Sequence, residues 1–307
     1  MISVVIPVRD GGDDLRRCLD AIARQRVDEP VEVLVVDTNS RDGSRELARS
    51  RGARVLEVGA AEFGHGATRN LAASEAEGEL LVFTTQDAYA AHEDWLSRLT
   101  EPLRAEESLA GVYGRQIAHD GASPPELFFL DFLYGPEPRV QRAETEPELS
   151  MRTTLFSNVN SAMTRDVWKR FPFADDVFFG EDQDWARRVL LAGLSIRYEP
   201  QAPVRHSHAY TVTSAFKRFF DTGASGERGF LAGGSASAGV VRKEALRYAR
   251  DEVAWLARTG RRRWIPYATV YELAKFAGLQ LGARHRRLPL WAKRRFSFYP
   301  DYWAQNP

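Results

Sequence analysis

Short hydrophobic runs alternate with amphipathic stretches along the first part of the chain. Four runs are apolar or β-branched and predict buried strands at residues 2–7, 31–36, 53–58 and 80–83. Between the first two runs, Leu15, Cys18, Leu19 and Ile22 recur at helical spacing. Alternation of strands and helices at this spacing is typical of βαβ units, so the sequence predicts an α/β fold with a mostly parallel central sheet.

The pattern becomes less regular after residue 90. It predicts a strand at 111–117, an extended segment at 157–163, two short strands at 195–199 and 202–206, and helices at 242–258 and 267–281. Residues 119–150 form a long, weakly patterned stretch, which is typical of a lid or a substrate wall. We therefore expect an α/β body at 1–230, with halves at about 1–117 and 118–230, a small-residue linker at 231–239 and a helical region at 240–307.

The composition suits a globular protein. Of the 307 residues, 44% are hydrophobic, and the single cysteine excludes a disulfide framework within one chain. The sequence shows no signal-peptide pattern and no apolar stretch near the ~20 residues that span a bilayer. A cytoplasmic protein is therefore expected.

The charge is unevenly distributed although the formal net charge is zero. Residues 241–307 contain 15 Lys and Arg against 5 Asp and Glu, including the RRR cluster at 261–263. A basic, tryptophan-containing tail suits the surface of an anionic membrane, and it shows no recognised nucleic-acid-binding module. A solvated helical face or a contact in a homo-oligomer is the competing interpretation.

Asp87 is the first candidate for chemistry. The apolar run at 80–83 passes into the polar sequence TTQD at 84–87, which predicts a buried strand that delivers a carboxylate to the edge of the sheet. Carboxylate oxygens are the ligands that hard divalent cations prefer. An ordinary surface aspartate after a strand is the alternative.

Three further groups could join Asp87. Asp37 ends the second predicted strand, and an Asx turn is the alternative role for it. Glu181, Asp182 and Asp184 begin a helix, where they suit either proton transfer or the helix dipole. His206 and His208 lie two positions apart and would share one face of a strand, as ligands or as structural residues.

These motifs together resemble family 2 glycosyltransferases with the GT-A fold, and more narrowly the bacterial rhamnosyltransferases of that family. The family usually has Asp-x-Asp where this chain has Thr85-Gln86-Asp87, so the first carboxylate is missing. The matching segments are VVIPVR at 4–9, VVD at 35–37, FGHGATRN at 63–70, TQDA at 85–88, NSA at 160–162, EDQDW at 181–185 and HSHAY at 206–210.

The resemblance implies a role for each matched residue. Asp182 would be the base of an inverting reaction, Asp87 and His206 would bind Mg²⁺ or Mn²⁺, and Glu181, Asp184 and His208 would support the acceptor. The remaining matched residues would bind the nucleotide sugar together with Asp87: Pro7, Arg9, Asp37, Gly66, Arg69 and Gln86.

The resemblance also implies a reaction. The expected donor is dTDP-L-rhamnose, and the expected acceptor is a hydroxyl of a glycan or lipid-linked oligosaccharide at the inner face of the plasma membrane. Phe128 and Tyr134 are candidates for acceptor contact. A UDP- or GDP-sugar donor, or a nucleotide-sugar-binding protein without turnover, are the alternatives, and nucleic acid is not expected as a partner.

Overall fold

A nine-stranded mixed sheet forms the centre of the computed structural model, which describes residues 1–59, 63–226 and 238–305. The strand order is β3-β2-β1-β4-β8-β6-β9-β5, and β7 pairs with β9. The strands are β1 Ile2–Val8, β2 Val31–Asp37, β3 Arg54–Glu57, β4 Leu80–Thr84, β5 Tyr89–Ala90, β6 Leu109–Ile117, β7 Arg139–Gln141, β8 Asn160–Thr164 and β9 Ser195–Arg205.

Helices cover the sheet and form the C-terminal region. Three short 3₁₀ turns at Glu146–Glu148, Arg262–Trp264 and His285–Arg287 accompany them. The α-helices are α1 Gly12–Ala23, α2 Ser44–Ser50, α3 His65–Glu75, α4 Trp95–Ala105, α5 Pro124–Leu133, α6 Arg165–Arg170, α7 Glu181–Leu191, α8 Val212–Ser225, α9 Ala238–Arg258, α10 Ile265–Gly282, α11 Leu290–Phe296 and α12 Pro300–Gln305.

The first four predicted strands form the parallel half of the sheet. β1 lies between β2 and β4, and all these pairings are parallel. Val4, Val5 and Ile6 are fully buried because helices cover both faces of β1. The apolar runs therefore predicted this half correctly, and the carboxyl ends of β1, β2 and β4 meet at one edge.

The other half of the sheet is mixed. β8 is antiparallel to both β4 and β6, whereas β9 is parallel to β6 and antiparallel to β5 and β7. This arrangement brings segments that are distant in the sequence, those around residues 158, 181 and 206, towards the edge where β4 ends.

The two short strands predicted at 195–199 and 202–206 are one strand, β9. Its pairing with β6 jumps from Gly114–Glu199 to Gln116–Val204, so the intervening prolines lie in a bulge. The buried Asn160 side chain donates to the carbonyl oxygens of Arg115 and Ala202 at 3.1 and 2.8 Å. It thereby satisfies acceptors that the ladder leaves free at the bulge.

Residues 119–150, predicted as a lid or wall, contain α5 and β7. α5 carries apolar residues on most sides because it lies between the sheet and α9, where Phe128 contacts Tyr248 and Trp255 with ring centroids 5.2 and 5.7 Å apart. A helix buried on both sides shows no amphipathic period, which explains why the pattern was weak.

The predicted C-terminal helices are present, and they pack on the preceding body. α10 lies so close to α8 that a Cβ atom at Gly278 would be 2.3 Å from the carbonyl oxygen of Phe216. Gly223 and Gly282 make the same kind of backbone approach. Most of the predicted linker at 231–239 lies outside the described residues.

None of the helices in the described ranges is both long enough and apolar enough to cross a bilayer.

Candidate active site

Asp87 lies in the turn that follows β4, at the edge predicted from the sequence. Its Oδ2 is 3.7 Å from His206 Nε2 and 4.0 Å from His208 Nδ1. The three ligand atoms lie within 4.8 Å of one another. Such separations suit ligands that each lie about 2.0–2.6 Å from a shared divalent cation.

The two histidines lie in the irregular segment that follows β9 and not on the strand itself. β9 ends at Arg205, so both residues follow the strand, which corrects the expectation that they share a strand face. Their rings make an edge-to-face contact with centroids 4.5 Å apart. The backbone N–H of His206 donates to the Ile117 carbonyl at 2.9 Å, which fixes the start of this segment.

Gln116 fixes the orientation of the His206 ring. Its amide nitrogen donates to the Tyr134 hydroxyl at 2.8 Å and to Ser157 Oγ at 3.0 Å, so its carbonyl oxygen faces His206 Nδ1 at 2.9 Å. Because a carbonyl oxygen only accepts, Nδ1 carries the proton. The lone pair of His206 Nε2 is therefore directed towards Asp87, as a metal ligand requires.

Protonation states in this cluster also suit cation binding. Burial lowers the pKa of His206 to about 3, against the opposing effect of Asp87, and burial lowers the pKa of His208 as well. Burial acts to raise the pKa of Asp87, but its neighbours, His206 foremost, leave it below the ordinary value. Neutral imidazoles and an ionised carboxylate are the ligand forms that a metal binds.

Asp182 lies in the first turn of α7, after a glycine with φ of 82°. Its Oδ1 accepts from the backbone N–H of Gln183 at 2.9 Å, and its Oδ2 lies 3.4 Å from the backbone nitrogen of Asn158. Asn158 adjoins Ser157, which accepts from Gln116. A short chain of contacts therefore joins Asp182 to His206.

A buried ion pair holds the start of α7 against α3. Arg69 Nη1 donates to Glu181 Oε1 at 2.8 Å, and both side chains are about nineteen-twentieths buried. Asn158 Nδ2 also donates to Glu181 Oε1, at 3.1 Å. Burial, and secondly the adjacent Glu181 carboxylate, raise the pKa of Asp182 to about 7, which suits a group that exchanges a proton near neutral pH.

Asp37 has one oxygen free in a buried position at the end of β2. Its Oδ1 accepts from the backbone N–H of Ser40 at 3.1 Å, so the turn role considered from the sequence is present. Its Oδ2 is buried without a hydrogen-bond partner, although the side chain is only 1% exposed. Such an acceptor costs free energy unless a ligand donates to it.

Gln86 joins the ends of β1 and β4. Its Oε1 accepts from the Arg9 backbone N–H at 2.8 Å, and its Nε2 donates to the Arg9 carbonyl at 3.1 Å. Pro7 lies just before this junction, and the Arg9 side chain is exposed. The chain reverses its strand order at this point, which is where open α/β sheets bind ligands.

Other predicted residues are placed away from open surface. A Cβ atom at Gly66 would lie 2.2 Å from the Ala174 carbonyl oxygen, so this glycine permits close packing of α3. Asp184 pairs with Arg188 at 2.8 Å on the same helix. Phe128 and Tyr134 are 8% and 5% exposed and pack in the core, which argues against the acceptor contact predicted for them.

Sequence reasoning missed several residues of the site. Gln116, Asn158 and Tyr299 belong to no charged or histidine motif, and only their placement beside the motif residues identifies them. Tyr299 lies in the C-terminal region, and its hydroxyl is 3.1 Å from His65 Nε2. That contact spans 234 positions, a separation at which sequence patterns carry no signal.

Comparison with known proteins agrees with this geometry. Residues 3–171 match the Glycosyl transferase family 2 model. The chain is 33% identical to the O-antigen chain rhamnosyltransferase WbaN of Salmonella anatum over 91% of this chain and 88% of that protein. It is 32% identical to the O-antigen chain rhamnosyltransferase RfbN of Salmonella typhimurium over 98% of this chain and 96% of that protein.

A solved structure shares the architecture. The mannosyltransferase PcManGT from Pyrobaculum calidifontis, in complex with GDP-Man and Mn²⁺, matches 93% of this chain and 88% of its own with a TM-score of 0.63 at 18% identity. The likeness confirms the predicted GT-A fold. By its family match and its relatives along nearly the whole length, the chain belongs to glycosyl transferase family 2 and is a glycosyltransferase.

Proposed function

We propose that this glycosyltransferase transfers L-rhamnose from dTDP-L-rhamnose to a hydroxyl of a glycan or lipid-linked oligosaccharide, in a metal-dependent reaction that inverts the anomeric carbon. The observation that supports this proposal most is the chain of contacts through Gln116 and Ser157 that joins the Asp87 cluster to Asp182. The named rhamnosyltransferases among the relatives favour rhamnose as the sugar.

Asp87, His206 and His208 would hold the cation. The donor set of one carboxylate and two neutral imidazoles fits a divalent ion, and of Mg²⁺ and Mn²⁺ the imidazoles favour Mn²⁺, since Mg²⁺ prefers oxygen ligands. When bound, the ion would neutralise negative charge on the leaving diphosphate.

Asp182 would act as the base. The acceptor oxygen attacks the anomeric carbon while the bond from that carbon to the diphosphate oxygen breaks, and the electron pair leaves with the nucleoside diphosphate. The hydroxyl proton passes to the Asp182 carboxylate, which Asn158 and Gln183 hold in place. A single displacement of this kind inverts the anomeric configuration.

Asp37 and the β1–β4 junction would bind the nucleotide. A pyrimidine ring N–H is a donor suited to the unpartnered Asp37 Oδ2, and the backbone of Arg9 is held rigid beside it by Gln86. In this proposal the base would lie over the end of β2, and the phosphates would extend towards Asp87 after β4.

A donor panel tests the proposed function. Purified protein is titrated calorimetrically with dTDP, UDP and GDP in Mn²⁺ buffer, and the release of nucleoside diphosphate is then followed with the matching sugars and a glycan acceptor. We expect dTDP to bind most tightly and dTDP-rhamnose to turn over. If UDP or GDP binds most tightly, the donor is the corresponding UDP- or GDP-sugar and not dTDP-rhamnose. If a nucleotide binds but no acceptor supports turnover, a non-catalytic binding protein is favoured.

An exposed apolar face on α10 supports contact with an anionic membrane. Val270 and Leu273 are 54% and 64% exposed, and Trp291 on α11 is 70% exposed. The exposed arginines of the 261–263 cluster lie at one end of α10 and those near residue 286 at the other. Apolar side chains bordered by cations suit the surface of a bilayer that contains anionic lipid.

Vesicle binding tests this contact. We expect the protein to sediment with vesicles that contain phosphatidylglycerol and not with phosphatidylcholine vesicles. Leu273→Glu should weaken binding about 10-fold or more, because burial of a leucine side chain contributes about 1.5–3 kcal/mol. Val140→Glu, at a residue of β7 that is 47% exposed, is the matched control and should bind like wild type. Equal binding by both variants would contradict the contact.

A further inference from the structure

Arg218, near the middle of α8, has no carboxylate within 4.0 Å in the ranges 1–59, 63–226 and 238–305. Its side chain is half-buried. Asp221, one turn further along, is engaged elsewhere: its two oxygens accept from Ser297 Oγ at 2.5 Å and from the Phe298 backbone at 2.9 Å. Arg218 acts on the Asp221 carboxylate only from beyond 4.0 Å, so its guanidinium remains available to pair directly with an anionic ligand.

Arg218 lies between two elements of the active site. Its guanidinium carbon is 4.0 Å from the ring centroid of Phe179, two residues before Glu181. Its own helix begins just after the segment that contains His206 and His208, where the centroid of the Tyr210 ring lies 4.9 Å from that of His208. This contact with the face of the Phe179 ring holds the guanidinium in position without using its N–H groups as donors to another side chain.

The C-terminal segment that contains Tyr299 is a third element near Arg218. The Phe179 ring stacks with Tyr299, whose hydroxyl contacts His65 at the start of α3. Arg218 therefore lies beside a ring that borders the start of α7 and, through Tyr299, the start of α3.

Arg69, the cation predicted from the sequence to bind the nucleotide sugar, already has partners. Its Nη1 donates to Glu181 Oε1 at 2.8 Å and to the His65 carbonyl at 3.0 Å, and the side chain is 4% exposed. Displacing it would leave Glu181 as an unpaired buried carboxylate, at a cost of several kcal/mol. Within the part of the chain that the structure describes, Arg218 has no carboxylate within 4.0 Å to lose.

We propose that Arg218 binds the diphosphate of the nucleotide-sugar donor and stabilises it as it leaves, an inference that rests on the proposed function. A guanidinium presents parallel N–H donors that match two phosphate oxygens. As the bond between the anomeric carbon and the diphosphate oxygen breaks, negative charge grows on the diphosphate, and hydrogen bonds from Arg218 strengthen at that point.

The test compares Arg218→Met with Lys217→Met. Lys217 is the adjacent cation, and it also lies near an aromatic ring, with Nζ 5.9 Å from the Phe298 centroid. Calorimetry in Mn²⁺ buffer measures the affinities for dTDP and dTMP. Arg218→Met should weaken dTDP binding about 10- to 150-fold, the range for lost hydrogen bonds to charged groups, and dTMP binding far less. Lys217→Met should bind both nucleotides like wild type, and Arg218→Lys should restore part of the dTDP affinity.

The outcomes separate this inference from the proposed function. If wild type binds no nucleoside diphosphate, the proposed function fails first. If wild type binds dTDP and Arg218→Met binds it equally well, the inference fails alone. Unchanged dTDP affinity with a raised KM for a lipid-diphosphate acceptor would overturn the assignment to the donor, and equal losses for dTDP and dTMP would indicate a structural role.

Discussion

Replacing Asp182 with asparagine should lower the rate of sugar transfer about 10²- to 10⁴-fold, the usual contribution of a positioned general base. Asparagine keeps the shape of the side chain, and its one amide oxygen can accept from one of the two backbone N–H groups of Asn158 and Gln183, but it does not accept the hydroxyl proton. The measurement is nucleoside diphosphate release at saturating donor and acceptor, together with donor affinity, which should change little.

The pH dependence of transfer follows from the same residue. Burial and the adjacent Glu181 raise the pKa of Asp182 to about 7, and the base must be ionised to accept a proton. Below that pH, kcat/KM should therefore rise about tenfold per pH unit, and above it the rate should level off. A flat profile between pH 5 and about 8 would contradict the assignment.

Asp166→Asn is the matched control for Asp182→Asn. Asp166 also lies in the first turn of a helix, α6, but its side chain is exposed. This variant should keep the wild-type rate and the wild-type pH profile. If both variants lose the same activity, the loss would reflect general damage to a helix terminus and would not support a role for Asp182 as the base.

Replacing Asp87 with asparagine should abolish tight Mn²⁺ binding and most of the transfer activity. The amide lacks the negative charge that a divalent cation requires, while the histidines keep their places. The affinity for Mn²⁺, followed by electron paramagnetic resonance with dTDP present, should fall more than about 100-fold, since loss of an outer-shell partner alone costs about 10- to 100-fold.

Two further measurements complete the test of the metal site. His206→Gln should weaken Mn²⁺ binding as Asp87→Asn does, whereas His92→Gln, at an exposed histidine, should bind the ion like wild type. Treatment with EDTA should stop transfer by the native protein, and added Mn²⁺ should restore it. Full activity after EDTA treatment would exclude metal dependence.

The fold was predictable where one physical rule decided the structure. Strands β1, β2 and β4 are buried on both faces, and their apolar runs could be read directly from the sequence. The path of β9 could not be read from the sequence in this way. Its prolines predict a break in the strand, whereas in the structure the bulge opposite Arg115 accommodates them. α5 was missed for a related reason, since a helix apolar on most sides has no period to detect.

The candidate site was predictable for residues that belong to motifs. The structure brings Asp87, His206 and His208 together, as expected, and a short chain of contacts joins them to Asp182. Gln116 could not have been predicted in this way. Its amide nitrogen donates two hydrogen bonds, and these orient its carbonyl oxygen towards His206 Nδ1. The partner of Arg69 was equally hidden, because α7 follows α3 by more than a hundred residues.

The contact between His65 and Tyr299 has a consequence for synthesis of the protein. His65 begins α3 in the first quarter of the chain, whereas Tyr299 is held in place through Ser297 and Asp221. A ribosome makes the first partner long before the second. We expect a nascent chain stalled before residue 299 to lack this wall of the site, so the start of α3 acquires its final surroundings only when translation has passed that residue.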